Sequence, residues 1–172
     1  IGELKIPGFS RYLHPYDSET IIGLGNDATP EGRVLGLKVS LFDVSDLENP
    51  VETTSFTVSE QFSSSTALFE SRAFLFSREK NLMVIPGYFF DQKSQRSFNG
   101  AFVFEITKTS IKMRGVIDHN GENQDQRIFF SNNVERSLYI EDNLYTKSPC
   151  LLKINQIDDL SSVKDVKLSC RR

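Results

Sequence analysis

Three arginines, a histidine and an aspartate are the side chains of this 172-residue sequence best spaced to do chemistry. His14 stands in YLHPYD with Asp17 three residues on. That pairing suits a ligand-contacting or general-base imidazole. It equally suits a structural histidine beside Pro15 that hydrogen-bonds a turn at a strand end. Arg11, Arg72 and Arg136 recur at spacings of 61 and 64 residues. If the shared position faces a common channel, the three form a cationic ring for an anion. If it marks the start of a strand, each pairs with a nearby carboxylate.

Other chemistry is weaker. Asp43, Asp46 and Glu48 in FDVSDLENP offer oxygens for calcium, but their spacing is not that of an EF-hand and no glycine holds the turn. The stretch reads as a strand ending in a tight turn capped by its own Asp and Asn side chains, so no metal is expected. Ser63–Ser65 and Ser77 are nucleophiles by type only, because no GxSxG occurs and neither histidine sits in a triad pattern. The segment from Ser59 to Thr66 reads as a solvated loop. Gly23-Leu24-Gly25 resembles half a phosphate loop, but no helix follows, so it reads as a strand end. No catalytic residue and no cofactor are assigned.

The two cysteines, Cys150 and Cys170, are remote from both histidines and lie in no CxxC, which disfavours zinc. They flank a predicted hairpin: strand Leu151–Gln156, turn Ile157–Ser162, strand Val163–Leu168. A turn centred near Leu160 would set them opposite each other, and a cross-strand disulfide would then imply an oxidising compartment. Two unrelated thiols are the alternative.

Composition bounds the partners. The formal net charge is −3, with 25% charged residues, which argues against nucleic acid. No apolar run reaches the ~18–20 residues of a membrane span. Fourteen Phe and five Tyr are too many for a disordered chain. No Met starts the chain and no leader is visible, so any targeting signal lies outside it or has been removed. No Asn-x-Ser/Thr sequon occurs.

The elements that position these groups are strands. Helical periodicity is nearly absent, and short β-rich runs are punctuated by Gly, Pro, Asn, Asp and Ser. The runs repeat. SRYLHPY from Ser10, SRAFLF from Ser71 and ERSLYI from Glu135 open three units. Second strands start at Thr20, Asn81 and Asn143, third strands at Leu37, Gly100 and Leu151, and polar fourth strands at Val51, Ile111 and Val163. At the place of His14 the other units put apolar residues such as Phe76 and Ile140. A four-stranded antiparallel meander repeated this way predicts an all-β, partial β-propeller of about three blades, over 10–58, 71–119 and 135–169. A β-sandwich of the same hairpins is the alternative. Residues 1–8, with GELKI before Pro7-Gly8, read as the outer strand of a preceding blade. Three blades do not close a ring, so the remaining blades belong to upstream sequence or to another chain.

Several stretches carry a family resemblance. Lys5–Asp17 (KIPGFSRYLHPYD), IIGLG, Gly36–Pro50 (GLKVSLFDVSDLENP), RAFLFSREKNLMVIPG, GAFVFEI, ERSLYIEDNLYTKSP and LLKINQIDDLSSV resemble an uncharacterised family of secreted archaeal and bacterial proteins with a C-terminal β-propeller domain. Asp91–Asn99 and Cys170–Arg172 match nothing in it. The resemblance implies an extracellular or cell-surface setting and supplies no catalytic residues. The expected function is a non-catalytic binding or scaffold module presenting loops to a protein or glycan. The alternatives are an enzyme whose channel site is completed by other blades, and a structural component of a cell-surface assembly. Convergence of polar groups around His14, Asp17 and the three arginines separates the enzyme from the rest.

Overall fold

Alternating apolar and polar residues set the strands, and a polar turn folds each strand back on the one before it. The computed structural model describes residues 3–58, 63–91, 96–120 and 133–169. Blade 1 holds β1 (Phe9–Pro15), β2 (Thr20–Ala28), β3 (Val34–Asp43) and β4 (Val51–Thr57). Blade 2 holds β5 (Leu75–Ser77), β6 (Leu82–Asp91), β7 (Arg96–Thr107) and β8 (Ser110–Asp118). Blade 3 holds β9 (Arg136–Ile140), β10 (Asn143–Lys147), β11 (Leu151–Gln156) and β12 (Ser162–Lys167). Each blade is a separate antiparallel sheet with its strands in sequence order. This is the partial propeller the repeat predicts, and not a two-layer sandwich.

Two buried clusters mark the seams between blades. The first joins Ile22, Leu24, Leu37, Val39 and Leu41 of blade 1 to Met83, Ile85, Phe102, Phe104 and Ile106 of blade 2. The second joins Leu82, Val84, Ala101, Val103 and Ile117 of blade 2 to Leu144 and Ile157 of blade 3. Successive residues of β6 and β7 therefore point into opposite seams, as the two-residue period of a strand requires. Blade 2 is buried on both faces, which is why its central strands read as unbroken apolar runs.

Polar ties fasten the seams at the turns. Lys108, in the β7–β8 turn, pairs with Asp17 at 3.3 Å and Glu19 at 2.9 Å in the β1–β2 turn. Lys80 pairs with Asp142 at 3.0 Å, and the Ser77 hydroxyl donates to the Tyr139 hydroxyl at 3.1 Å. The Arg114 guanidinium donates to the Ile157 carbonyl at 2.8 Å.

Local structure departs from the sequence reading in several places. Ser71–Ala73 is a 3₁₀ turn rather than a strand, and β5 is confined to Leu75–Ser77. The Glu70 side chain caps that turn by accepting from the Arg72 N–H, which supplies the partner a strand would otherwise have given. Residues 3–8 form no strand. Gly23-Leu24-Gly25 lies within β2 rather than at its end. Ser63 and Ser65 are buried, not solvated. Ser63 accepts from the Leu37 N–H, and Ser65 donates to the Pro86 carbonyl. Residues 59–62 of that segment lie outside the described residues, as does Gly121–Gln126. Where the sequence suggests a turn over Asp91–Asn99, β6 and β7 continue pairing out to Asp91 and Arg96.

Candidate functional site

Strand β1 carries most of the candidate residues, and its alternation decides what they meet. Tyr12, His14 and Tyr16 turn toward blade 2. The Tyr12 hydroxyl and His14 Nδ1 lie 3.0 Å apart. The His14 ring packs 4.9 Å from the Phe74 ring and 5.4 Å from Phe76. Partial burial among these rings lowers the imidazole pKa. His14 is thus wedged in the first seam, bonded to a neighbour on its own strand rather than to a turn.

Asp17 opens the β1–β2 turn. Its carboxylate accepts from the Glu19 N–H at 2.9 Å and pairs with Lys108. Both interactions favour the charged form and lower its pKa, the backbone bond most strongly. Asp17 therefore ties a turn to the next blade. Its hydrogen-bond and ion-pair partners are Glu19 and Lys108, not His14.

The three arginines occupy three different positions. Arg11 lies inside β1, Arg72 in a 3₁₀ turn ahead of β5, and Arg136 at the first residue of β9. All three are exposed. Arg72 pairs with Glu70 at 3.4 Å, and Arg136 donates to the neighbouring Glu135 carbonyl at 2.6 Å. The Arg11 guanidinium carbon lies over two rings, 5.3 Å from the Phe9 centroid and 5.0 Å from that of Phe69.

The acidic turn after β3 is closed on itself. Asp43 accepts from the Ser45 N–H, and Asp46 from the Glu48 N–H and the Asn49 amide. The Ser45 hydroxyl and N–H lower the Asp43 pKa, and the Asn49 amide and Glu48 N–H lower that of Asp46. Among the described residues no three His, Cys, Asp or Glu side chains gather to hold a metal.

The β11–β12 hairpin forms, but with a different register from the one that faces its cysteines. The pairs from Leu151↔Lys167 to Ile154↔Lys164 centre the hairpin on residue 159, and the Leu168 N–H donates to the Cys150 carbonyl at 2.9 Å. Leu168 thus stands opposite Cys150, two residues before Cys170. Cys150 is not a free thiol. Cys170 lies outside the described residues.

Two features of the site escape the sequence reading. His119 is 3% exposed in the second seam, with Nδ1 3.0 Å from the Ser148 hydroxyl and Nε2 2.8 Å from that of Thr146. Its only sequence signal is its place just after β8. The second is a pair of uncovered apolar faces. Leu4, Ile6, Phe9, Leu13, Ile21, Phe42 and other residues line a groove of about 550 Å³ on the face of blade 1 turned away from blade 2. Leu138, Tyr145, Leu152 and Leu168 line one of about 310 Å³ on blade 3. Leu13 is 56% exposed and Leu138 49%. Period-2 alternation in β1 and β9 could have flagged both.

A family model described as a beta propeller domain matches residues 1–160. An uncharacterised protein of Methanocaldococcus jannaschii is 32% identical over 167 residues, which covers 97% of this chain and 22% of that protein. An uncharacterised protein of Archaeoglobus fulgidus is 31% identical over 172 residues, covering 98% and 22% respectively. The chain spans about a fifth of the length of these relatives. Among the described residues no helix is long and apolar enough to cross a membrane.

Proposed function

The chain belongs to the β-propeller domain family, and from that premise we propose that it is a non-catalytic binding and scaffold section of a larger extracytoplasmic propeller, presenting its loops to a protein or glycan. One observation carries this reading. His14, Asp17, Arg72, Arg136 and the serines Ser63, Ser65 and Ser77 each hold a partner in their own blade or across a seam. None converges with another on a shared space, as a nucleophile, its base and an oxyanion donor must. The uncovered faces of blades 1 and 3 support completion of the ring by blades outside this chain.

The test pairs capture with turnover. The purified chain is screened on protein and glycan arrays and against esterase, glycosidase and peptidase substrates. Saturable binding without turnover is the expected result. Turnover that falls in His14→Ala or Asp17→Asn contradicts the proposal and restores the enzyme reading.

The extracytoplasmic setting rests on the family resemblance and on a proposed Cys150–Cys170 bridge. Intact mass after alkylation, without and with prior reduction, reads the bridge directly. Protection of both thiols until reduction is expected, and two alkylated thiols without reductant contradict it.

A further inference from the structure

Arg11 is not a regular strand residue. The β1–β2 register passes from Ser10↔Gly25 to Tyr12↔Leu24, which leaves Arg11 as the extra residue of a bulge. Bulges re-aim a side chain and recur next to functional sites. Two glycines make room for this one. A Cβ on Gly25 would sit 1.8 Å from the Phe9 carbonyl oxygen, and Gly8 holds a φ of +88° with its Cβ position 2.4 Å from the Asn26 carbonyl oxygen.

The re-aimed guanidinium lies against two rings, Phe9 and Phe69. Phe69 is 75% exposed. Burial does not hold it in place. It stands between two capped 3₁₀ turns, the first capped by Ser65 and the second by Glu70, and its N–H donates to the Thr66 carbonyl. Among the described residues no carboxylate pairs with Arg11, in contrast to Arg72. A guanidinium held over ring faces by cation–π attraction makes no hydrogen bonds to them, so its N–H donors remain for a bidentate acceptor.

We propose that Arg11, held over the Phe9 and Phe69 rings, binds a peptide carboxylate while the exposed Phe69 ring packs on an aromatic or apolar side chain next to that carboxylate. Aromatic residues and arginine are the side chains enriched at binding hot spots. A single unpaired cation with Glu70 next to Phe69 in sequence suits a monoanion better than a phosphate dianion. A patch with two phenyl rings offers few groups for the hydroxyls of a sugar. The site deepens the binding reading of the preceding section and rests on it. An array can show a binder while this site fails, so the two outcomes are separable.

The experiment is a titration of the ¹⁵N-labelled chain with the blocked peptide Ac-Phe-Glu-Phe-Glu-NH₂, followed at the arginine Nε–H signals and the phenyl ring signals. Saturable shifts at Arg11 and Phe69 are expected, with Arg78, which lies over Tyr16, unmoved. The glutamine peptide Ac-Phe-Gln-Phe-Gln-NH₂ and glucuronate should bind at least ~10-fold more weakly, as should Arg11→Lys, which keeps the charge but loses the fork. Phe69→Ala tests the apolar half at an exposed position, with the amide spectrum reporting an intact fold. Silence at Arg11 up to millimolar peptide, or equal affinity in Arg11→Lys, overturns the site. Equal binding of glucuronate overturns its assignment to a peptide.

Discussion

A neutral imidazole is built into the second seam. His119 is enclosed by hydroxyls, and its backbone N–H donates to the Asn99 carbonyl at 2.9 Å. Burial, reinforced by nearby Lys153 and partly opposed by Asp165, lowers its pKa from 6.5 to about 4. Because the folded pKa lies below the unfolded one, the unfolded chain takes up the proton first as pH falls. The stability held by neutral His119 is therefore complete above pH 6.5 and declines down to about pH 4. The size of the decline is on the order of 3 kcal/mol. Urea unfolding across this range should show a steeper loss for the native chain than for His119→Gln, and parallel curves contradict the assignment. Gly25 is the other single-residue test. Gly25→Ala must push the Phe9–Ser10 backbone away, at a cost of about 1–3 kcal/mol for an overpacked site. Chemical denaturation reads that loss, and an unchanged midpoint means the bulge can relax. Neither residue could be picked out from sequence. The hydroxyl partners of His119 lie on β10 and just beyond it, 27 and 29 residues away, so no neighbour in sequence marks it. Gly25 looked like a strand end because a bulge in the partner strand leaves no local signal.

At the scale of elements, blade 2 is the keystone of the arc. Phe102 and Phe104 of β7 are fully buried in the first seam, with Phe56 of β4 edge-on to Phe104 at 5.7 Å. Phe104→Ala should cost about 3–5 kcal/mol, because a rigid interior collapses only in part around the space left behind. Thermal unfolding measures it, and a loss under about 1 kcal/mol would show that the seam repacks freely. The strands were legible because period-2 alternation and turn residues are local signals, and β11 has the bounds read from LLKINQ. The inter-blade linker was not. Its 3₁₀ turns hang on side-chain caps from Ser65 and Glu70, and Ser63 is buried by a bond to Leu37, 26 residues earlier. The apparent equivalence of Arg11, Arg72 and Arg136 failed for the same reason. Similar tripeptides fall in a bulge, a 3₁₀ turn and a strand start, because their surroundings differ.

For the whole molecule, covered and uncovered faces set the account. A sheet with two apolar faces needs a neighbour on each, and stacked repeats supply them. Blade 2 has both neighbours. Blade 1 leaves Leu13, Ile21 and Phe42 facing a groove on one side, and blade 3 leaves Leu138, Tyr145 and Leu152 on the other. Three sheets fall short of the four or more blades of a closed propeller, and the relatives are several times longer than this chain. The most direct measurement is a structure of the full-length Methanocaldococcus jannaschii relative. The segment matching this chain should form three consecutive blades of one closed ring, with the counterparts of both grooves filled by blades from the rest of its polypeptide. A free-standing three-sheet unit with both end faces in solvent would contradict the account.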